Sequence, residues 1–314
     1  MLGKTANGLT WMSRYIERAE NTARKIEAGM RMAMVSAASA PTEWIAVVNA
    51  SGVAGAYAAR RGQDASAASV VDFLLRDPGN PSSALVALEA ARTNARMVRT
   101  AITREVWGAI NDAWLDMREA LATPVDEREL PAMLERLRRH GALVRGALYG
   151  TMLRNEIFDF IRIGTYLERA DNTARLLDVK YHVLLPSTAD VGGPLDVLQW
   201  EQLLRAVHVN RAYMMECGAD YRADLVTEFL MLNPRMPRSL RFCASRISEH
   251  LDHLADEYGE RTPACEQAAA MRDRLDAMTV ESIFADGLHE VLADHLAQNA
   301  ELAEGIARAY RFVE

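Results

Sequence analysis

The ten residues Tyr15-Ile16-Glu17-Arg18-Ala19-Glu20-Asn21-Thr22-Ala23-Arg24 return as Tyr166-Leu167-Glu168-Arg169-Ala170-Asp171-Asn172-Thr173-Ala174-Arg175. Eight are identical, and the two exceptions, Ile/Leu and Glu/Asp, keep chemical type. A repeat at about half the chain length predicts a duplicated architecture, which constrains the fold more than any isolated motif. The echo continues, with Trp44, Phe73-Leu74, Pro78 and Pro81 matched by Trp200, Phe229-Leu230, Pro234 and Pro237. The spacing grows from 151 residues at Glu17/Glu168 to 156 at Pro78/Pro234, so five residues are inserted between Arg175 and Trp200. The segment from Leu184 to Pro194, with Pro186, Gly192 and Gly193, is the natural place for them. Two homologous halves follow, 1–148 and 149–314, expected to pack about a pseudo-twofold axis as one unit.

The fold class is all-α, a helical bundle. Apolar positions at Met12, Tyr15, Ile16, Ala19, Ala23, Ile26 and Met30 recur at spacings of three and four and predict a long helix over 9–34. Its counterpart runs over about 155–185, with Ile163, Tyr166, Leu167, Ala170, Ala174 and Leu177 on the matching face and Pro186 as terminator. Further helices are predicted over 43–59, 66–76, 82–103, 105–121 and 129–148, then over 197–217, 223–232, 239–258, 264–277 and 288–312. Ser83 and Ser239 stand at equivalent places after Pro81 and Pro237, where a hydroxyl caps the free N–H groups of a helix start. No Asn-Gly turn joins two alternating β-branched runs, so a sheet has no support.

On the first helix Arg14, Glu17, Arg18, Asn21 and Arg24 or Lys25 fall opposite the apolar stripe, and Glu20 lies one turn from Arg24 as Asp171 lies from Arg175. A solvent-facing ladder accepts Glu, Lys, Arg or Gln almost interchangeably. Yet the second copy keeps Glu, Arg, Asn, Thr and Arg in register, which predicts that this face too is occupied. Two readings stand side by side. In one, the helices meet and their Glu-Arg-Asn groups form a buried reciprocal network. In the other, a polar groove uses Arg18, Arg24, Arg169 and Arg175 to hold an anionic or carboxylate group while Glu17, Glu168, Asn21 and Asn172 orient it.

Composition narrows the function classes. A net charge of −7 argues against a general nucleic-acid binder, which needs a basic face for phosphates. Only Lys4, Lys25 and Lys180 of the 36 basic residues are lysines, a skew so chain-wide that it reads as coding bias rather than as a site. Cys217, Cys243 and Cys265 are odd in number and far apart, as free thiols in a reducing compartment would be. With no signal-peptide pattern and no apolar run of membrane-spanning length, the expected localisation is cytoplasmic.

Cofactor signals are absent. His250, His253 and Glu257, with Glu249 and Asp252, share a helix, but no Glu-x-x-His pair exists and the counterparts of the two histidines are Asn94 and Met97; the default is a solvated charged face with no metal. Gly52 and Gly55 precede neither a βαβ unit nor a Walker lysine, so no nucleotide or other cofactor is expected. Nothing resembles a nucleophile elbow.

The Glu17–Arg24 and Glu168–Tyr181 runs, with Asn94-Ala95-Arg96, Arg99, Glu105-Val106-Trp107, the Gly150–Arg154 run, the Pro237–Cys243 run and Gly287-Leu288-His289-Glu290, resemble the bacterial Alpha-E family over essentially the whole chain. The resemblance implies an all-helical protein encoded beside, or fused to, a circularly permuted ATP-grasp ligase and a transglutaminase-like peptidase, in systems that form or modify amide bonds in peptides. It adds Arg96, Arg99, Trp107, Arg154, Arg238, Arg241 and His289 as secondary site candidates. Thr165 stands where Arg14 would recur, and Ser82 where Arg238 would, so the two half-sites are not expected to be chemically identical.

The expected function is an accessory component that binds the ligase or its peptide or carboxylate substrate through the Glu-Arg-Asn surface, with the ATP chemistry in the partner. One alternative is an enzyme on a small amino-acid or peptide substrate, with Glu17 or Glu168 as acid–base and Arg24 or Arg175 as carboxylate clamp. Another is a structural oligomerisation module.

Overall fold

The computed structural model describes residues 1–35, 40–182 and 192–312. Among them are fifteen α-helices and no strand. The first seven are α1 (Gly3–Val35), α2 (Ala40–Ala50), α3 (Ala54–Arg61), α4 (Ala67–Leu75), α5 (Ala84–Met97), α6 (Arg104–Ala120) and α7 (Leu130–Thr151). The others are α8 (Glu156–His182), α9 (Pro194–Ala206), α10 (Asn210–Cys217), α11 (Ala223–Met231), α12 (Leu240–Tyr258), α13 (Pro263–Ala277), α14 (Val280–Asp286) and α15 (Leu288–Ala309).

Helices α1 and α8 pack on each other at the centre. Around α1 lie α5, α7 and α2, while α12 and α15 cover α8. The predicted stripe of α1 is buried at Met12, Ile16, Ala19, Ala23 and Ile26, with Tyr15 and Met30 at its margin. All six predicted apolar positions of α8 are buried, but so are its polar Arg162, Thr165, Glu168, Arg169, Asn172 and Thr173. A helix wrapped over most of its surface needs partners for those polar groups, which is why the second face of the repeated motif is not a generic charged surface.

The two central helices approach closely where Gly164 of α8 meets Ser13 and the Thr10 carbonyl of α1. Nearby, Thr10 donates from Oγ1 to the Phe160 carbonyl at 3.4 Å. Ser83 and Ser239 cap α5 and α12, accepting from the N–H groups of Val86 (3.4 Å) and Phe242 (3.0 Å) as their position after Pro81 and Pro237 predicts.

Three readings of the sequence are corrected. The helices expected over 43–59 and 197–217 are each broken in two, at Gly52 (φ 68°) and at His208 (φ 58°), because a left-handed residue ends a helix even where the apolar period runs on. A short helix, α14, was missed; Thr279 and Ser282 form its capping box, a Thr-x-x-Ser version of the usual Thr-x-x-Glu. The third concerns one residue of the solvated charged face: Glu249, His253 and Glu257 are exposed, but His250 is buried and holds Asp159 of α8 at 2.6 Å. Pro186 and most of the segment assigned to the insertion lie outside the described residues.

Candidate functional site

The repeated Glu-Arg dipeptides interlock. Arg169 donates from Nε and Nη2 to the two carboxylate oxygens of Glu17, both at 3.0 Å. Arg18 does the same to Glu168, at 2.6 and 2.9 Å. Each glutamate takes a second arginine, but from different elements: Arg238, just before α12, lies 3.2 Å from Glu17, whereas Arg14 of α1 donates to Glu168 at 3.1 Å. The two places where the sequence departs from its own repeat, Thr165 for Arg14 and Ser82 for Arg238, therefore compensate each other.

Burial alone would push the Glu17 carboxyl up, but the guanidiniums of Arg169 and Arg238 hold it well below the usual carboxylate range. Glu168 is likewise held down against its burial by Arg18 and Arg14. Two paired, ionised carboxylates are poor proton acceptors at neutral pH.

The exchange of Arg238 for Ser82 leaves room on one side. A cavity of about 290 Å³ opens there, lined by Arg14, Arg18, Lys25 and Arg175 against Glu168 and Asp171, with Asn172, Asn21, Ser51, Gly52 and Ser82 also in its lining. Asp171 is held by Arg175 at 2.8 Å. The lining has four cations and two carboxylates, so it lacks negative charge. Lys25 is buried and donates to the Ala50 carbonyl at 3.1 Å. Burial, reinforced by Arg175 and Arg18 and only partly offset by Asp171 and Glu168, pushes its ammonium down to about 8. Asn172 is 2% exposed, and neither its amide N–H groups nor its carbonyl has a protein partner. Buried amides are almost always satisfied, so this one is free to serve a guest or bound water.

Other sequence candidates lie elsewhere on the molecule. Glu20 and Arg24 pair on a different face of α1 from Lys25, and Arg145 of α7 also reaches Glu20. Arg24 is therefore no partner of Arg175, although the repeat aligns them. Arg99 lies over Trp107 at 5.6 Å, and Arg96 is exposed. Arg154 caps α7 through the Tyr149 carbonyl at 2.8 Å. Arg241 binds Asp276 at 2.5 Å and borders a larger groove of about 530 Å³ by α11 and α14 that gathers no comparable set of paired charges. His289 meets Asp178 at 2.5 Å. Asp159, His250 and His253 are the one trio among the described residues with metal-ligand atoms in close range. Sequence reasoning missed Asp159, which lies 91 residues from His250. It also missed Lys25 as a cavity residue in its own right; its signal was that a lysine is rare in this chain.

No helix among the described residues is long and apolar enough to cross a membrane. An uncharacterised protein of Mycobacterium bovis is 24% identical over an alignment of 314 positions that covers 94% of this chain and 35% of that protein. An uncharacterised protein of Mycobacterium tuberculosis matches to the same extent, so the chain spans about a third (35%) of the curated relatives it resembles. No solved structure matches it. The Alpha-E family model, described as a predicted alpha-helical domain with a conserved ER motif, matches residues 1–310, and the chain belongs to that family.

Proposed function

We propose that the chain is the binding component of a peptide amide-bond-forming or -modifying system, and that the cavity between α1 and α8 holds the carboxylate end of a peptide or amino acid. The observation that carries this reading is a cavity lining with two excess positive charges beside an unpartnered, buried Asn172 amide. A carboxylate supplies one counter-charge, and the adjoining peptide group offers the donor and acceptor that Asn172 lacks. The ATP chemistry lies in an ATP-grasp ligase partner, with a transglutaminase-like protein as a further member of the system. A cytoplasmic location fits the three free cysteines.

Two homologous halves, 1–148 and 149–314, related by a pseudo-twofold axis between α1 and α8, account for the exchange of arginines between Glu17 and Glu168. They account as well for the edge-on Tyr57–Phe73 and Tyr213–Phe229 pairs, whose corresponding members are 156 residues apart. We read the family's ER motif as Glu17-Arg18 and Glu168-Arg169. The acid–base role for Glu17 or Glu168 has the depressed carboxyls against it, and a purely structural module has the open cavity against it.

Calorimetric titration with an N-acetylated dipeptide tests the reading. A free C-terminus is expected to bind, and its C-terminal amide is not. Lys25→Met and Asn172→Ala are expected to abolish binding. Equal binding of acid and amide, or no effect of either substitution, would overturn it.

A further inference from the structure

A second group of cations lies on the other face of α1, outside the cavity. Arg24 of α1, Arg138 and Arg145 of α7, Arg169 of α8 and Arg238 converge there on Glu17, Glu20 and Glu27. Glu20 takes Arg24 and Arg145 and has Arg238 at 4.0 Å, and Glu27 takes Arg138. At the rim Arg31 joins Glu27 at 2.8 Å and Glu135 joins Arg138, which adds one charge of each sign. Six guanidiniums thus face four carboxylates, a deficit of two negative charges. Arg24 is 7% exposed, yet only one of its nitrogens is used, and Nε and Nη1 have no acceptor.

The rim residue is His208, whose Nε2 lies 3.7 Å from Glu27. It holds a left-handed backbone at φ 58° where the residue 156 positions earlier is Gly52. A non-glycine residue in that region is strained, and such strain is concentrated at ligand sites. Burial and the neighbouring Arg24, Arg138 and Arg238 push its imidazole down to about 4. Burial, with Arg24 and Arg169 adding to it against the opposing Glu17 and Glu20, likewise pushes Arg238 down to about 9. In both, burial is the leading cause and the neighbouring guanidiniums add to it.

We propose that Arg24, Arg138, Arg145 and Arg238, with His208 at the entrance, form a second anion site that takes a small phosphate-type dianion. Two negative charges match the deficit, and a tetrahedral group with three free oxygens can accept from the idle Nε and Nη1 of Arg24 together with a second guanidinium. A monocarboxylate answers only half the charge. This inference is independent of the carboxylate reading of the α1–α8 cavity, because Lys25 and Arg175 take no part in it.

The probe is inorganic phosphate, followed by the ring resonances of His208 and by calorimetry, against chloride at equal ionic strength. Glycerol phosphate and malonate serve as monoester and dicarboxylate comparisons. Phosphate is expected to move the His208 signals saturably and to bind more tightly than malonate. Glycerol phosphate binding as well would extend the site to monoesters, and its failure would restrict it to the free ion. Arg24→Gln and Arg138→Gln are each expected to weaken phosphate by about tenfold or more, the scale of one lost charge-assisted contact. Lys25→Met is expected to leave the response of the His208 resonances to phosphate unchanged. Arg138 is nearer the surface, so its variant carries the test should Arg24→Gln fail to fold. A His208 spectrum that responds no more to phosphate than to chloride, or undiminished affinity in Arg138→Gln, would overturn the proposal.

Discussion

Glu17 of the first repeat motif holds Arg169 of the second through two hydrogen bonds of 3.0 Å, and neither residue is more than 8% exposed at its side chain. The mirror pair, Glu168 and Arg18, is equally two-pronged but wetter, with Arg18 at 23% and Arg14 at 17%. Neither helix can satisfy its own glutamate through the arginine beside it, since adjacent residues on a helix point about 100° apart. The exchange therefore fixes the register of α1 on α8 as well as their proximity.

Unequal burial predicts unequal mutational cost. Glu17→Gln leaves Arg169 and Arg238 charged in a dry site, and breaking a buried pair in this way costs roughly 3–5 kcal/mol. Glu168→Gln frees arginines that can turn toward water, for about 1–2 kcal/mol. Urea denaturation of both variants measures the difference. Equal losses would show that the two pairs share one environment.

The same interface depends on Gly164. A Cβ there runs into Ser13 Oγ and the Thr10 backbone, which cannot step aside as a flexible side chain would. Gly164→Ala is expected to prise α8 from α1 and to cost roughly 1–3 kcal/mol, the usual range for overpacking. Ser13→Gly in the same chain should return part of that loss, and a cycle without coupling would place the clash on Thr10 alone.

What the sequence disclosed about this molecule followed from distance along the chain. Periodicity placed the long helices, and the caps at Ser83 and Ser239 were readable because they lie beside their prolines. The repeat also announced that the polar face was occupied. It could not say by what, since Glu17–Arg169 and Asp159–His250 join residues 152 and 91 positions apart and depend on how α8 rotates against its neighbours. Arg24 and Lys25 are adjacent, and only packing decides which one enters the cavity. The breaks at Gly52 and His208 were hidden for a different reason: the apolar spacing continues through them, and a histidine gives no warning of a positive φ.

Those two breaks give opposite predictions. His208→Gly removes left-handed strain and is expected to stabilise by about 1 kcal/mol, whereas Gly52→Ala introduces it at a similar cost. Gly52→Ala also brings a Cβ within 3.2 Å of the Arg175 guanidinium at the cavity wall. Thermal unfolding should move up in the first variant and down in the second, and dipeptide affinity should fall in the second. A neutral Gly52→Ala would mean that the turn adapts freely.

Lys25 supplies a pH dependence with a definite sign. Its ordinary value is 10.5, and burial lowers it to about 8 in the folded chain. Between these values the unfolded chain holds a proton that the folded chain has released, so stability rises with pH across that window; below about 8 both states are protonated and the penalty is constant. That penalty is on the order of 3 kcal/mol. Lys25→Met is expected to flatten the slope and to raise stability at neutral pH by on the order of 1 kcal/mol, the rest being offset by the bond lost at the Ala50 carbonyl. Adding a carboxylate to the cavity reverses the depression, because the guest provides the counter-charge that Lys25 lacks. Binding near pH 8.5 should then take up a proton, seen as a binding enthalpy that changes with the ionisation heat of the buffer. The dependence should vanish in Lys25→Met. Buffer-independent heats in the unaltered chain would show that the guest does not neutralise Lys25.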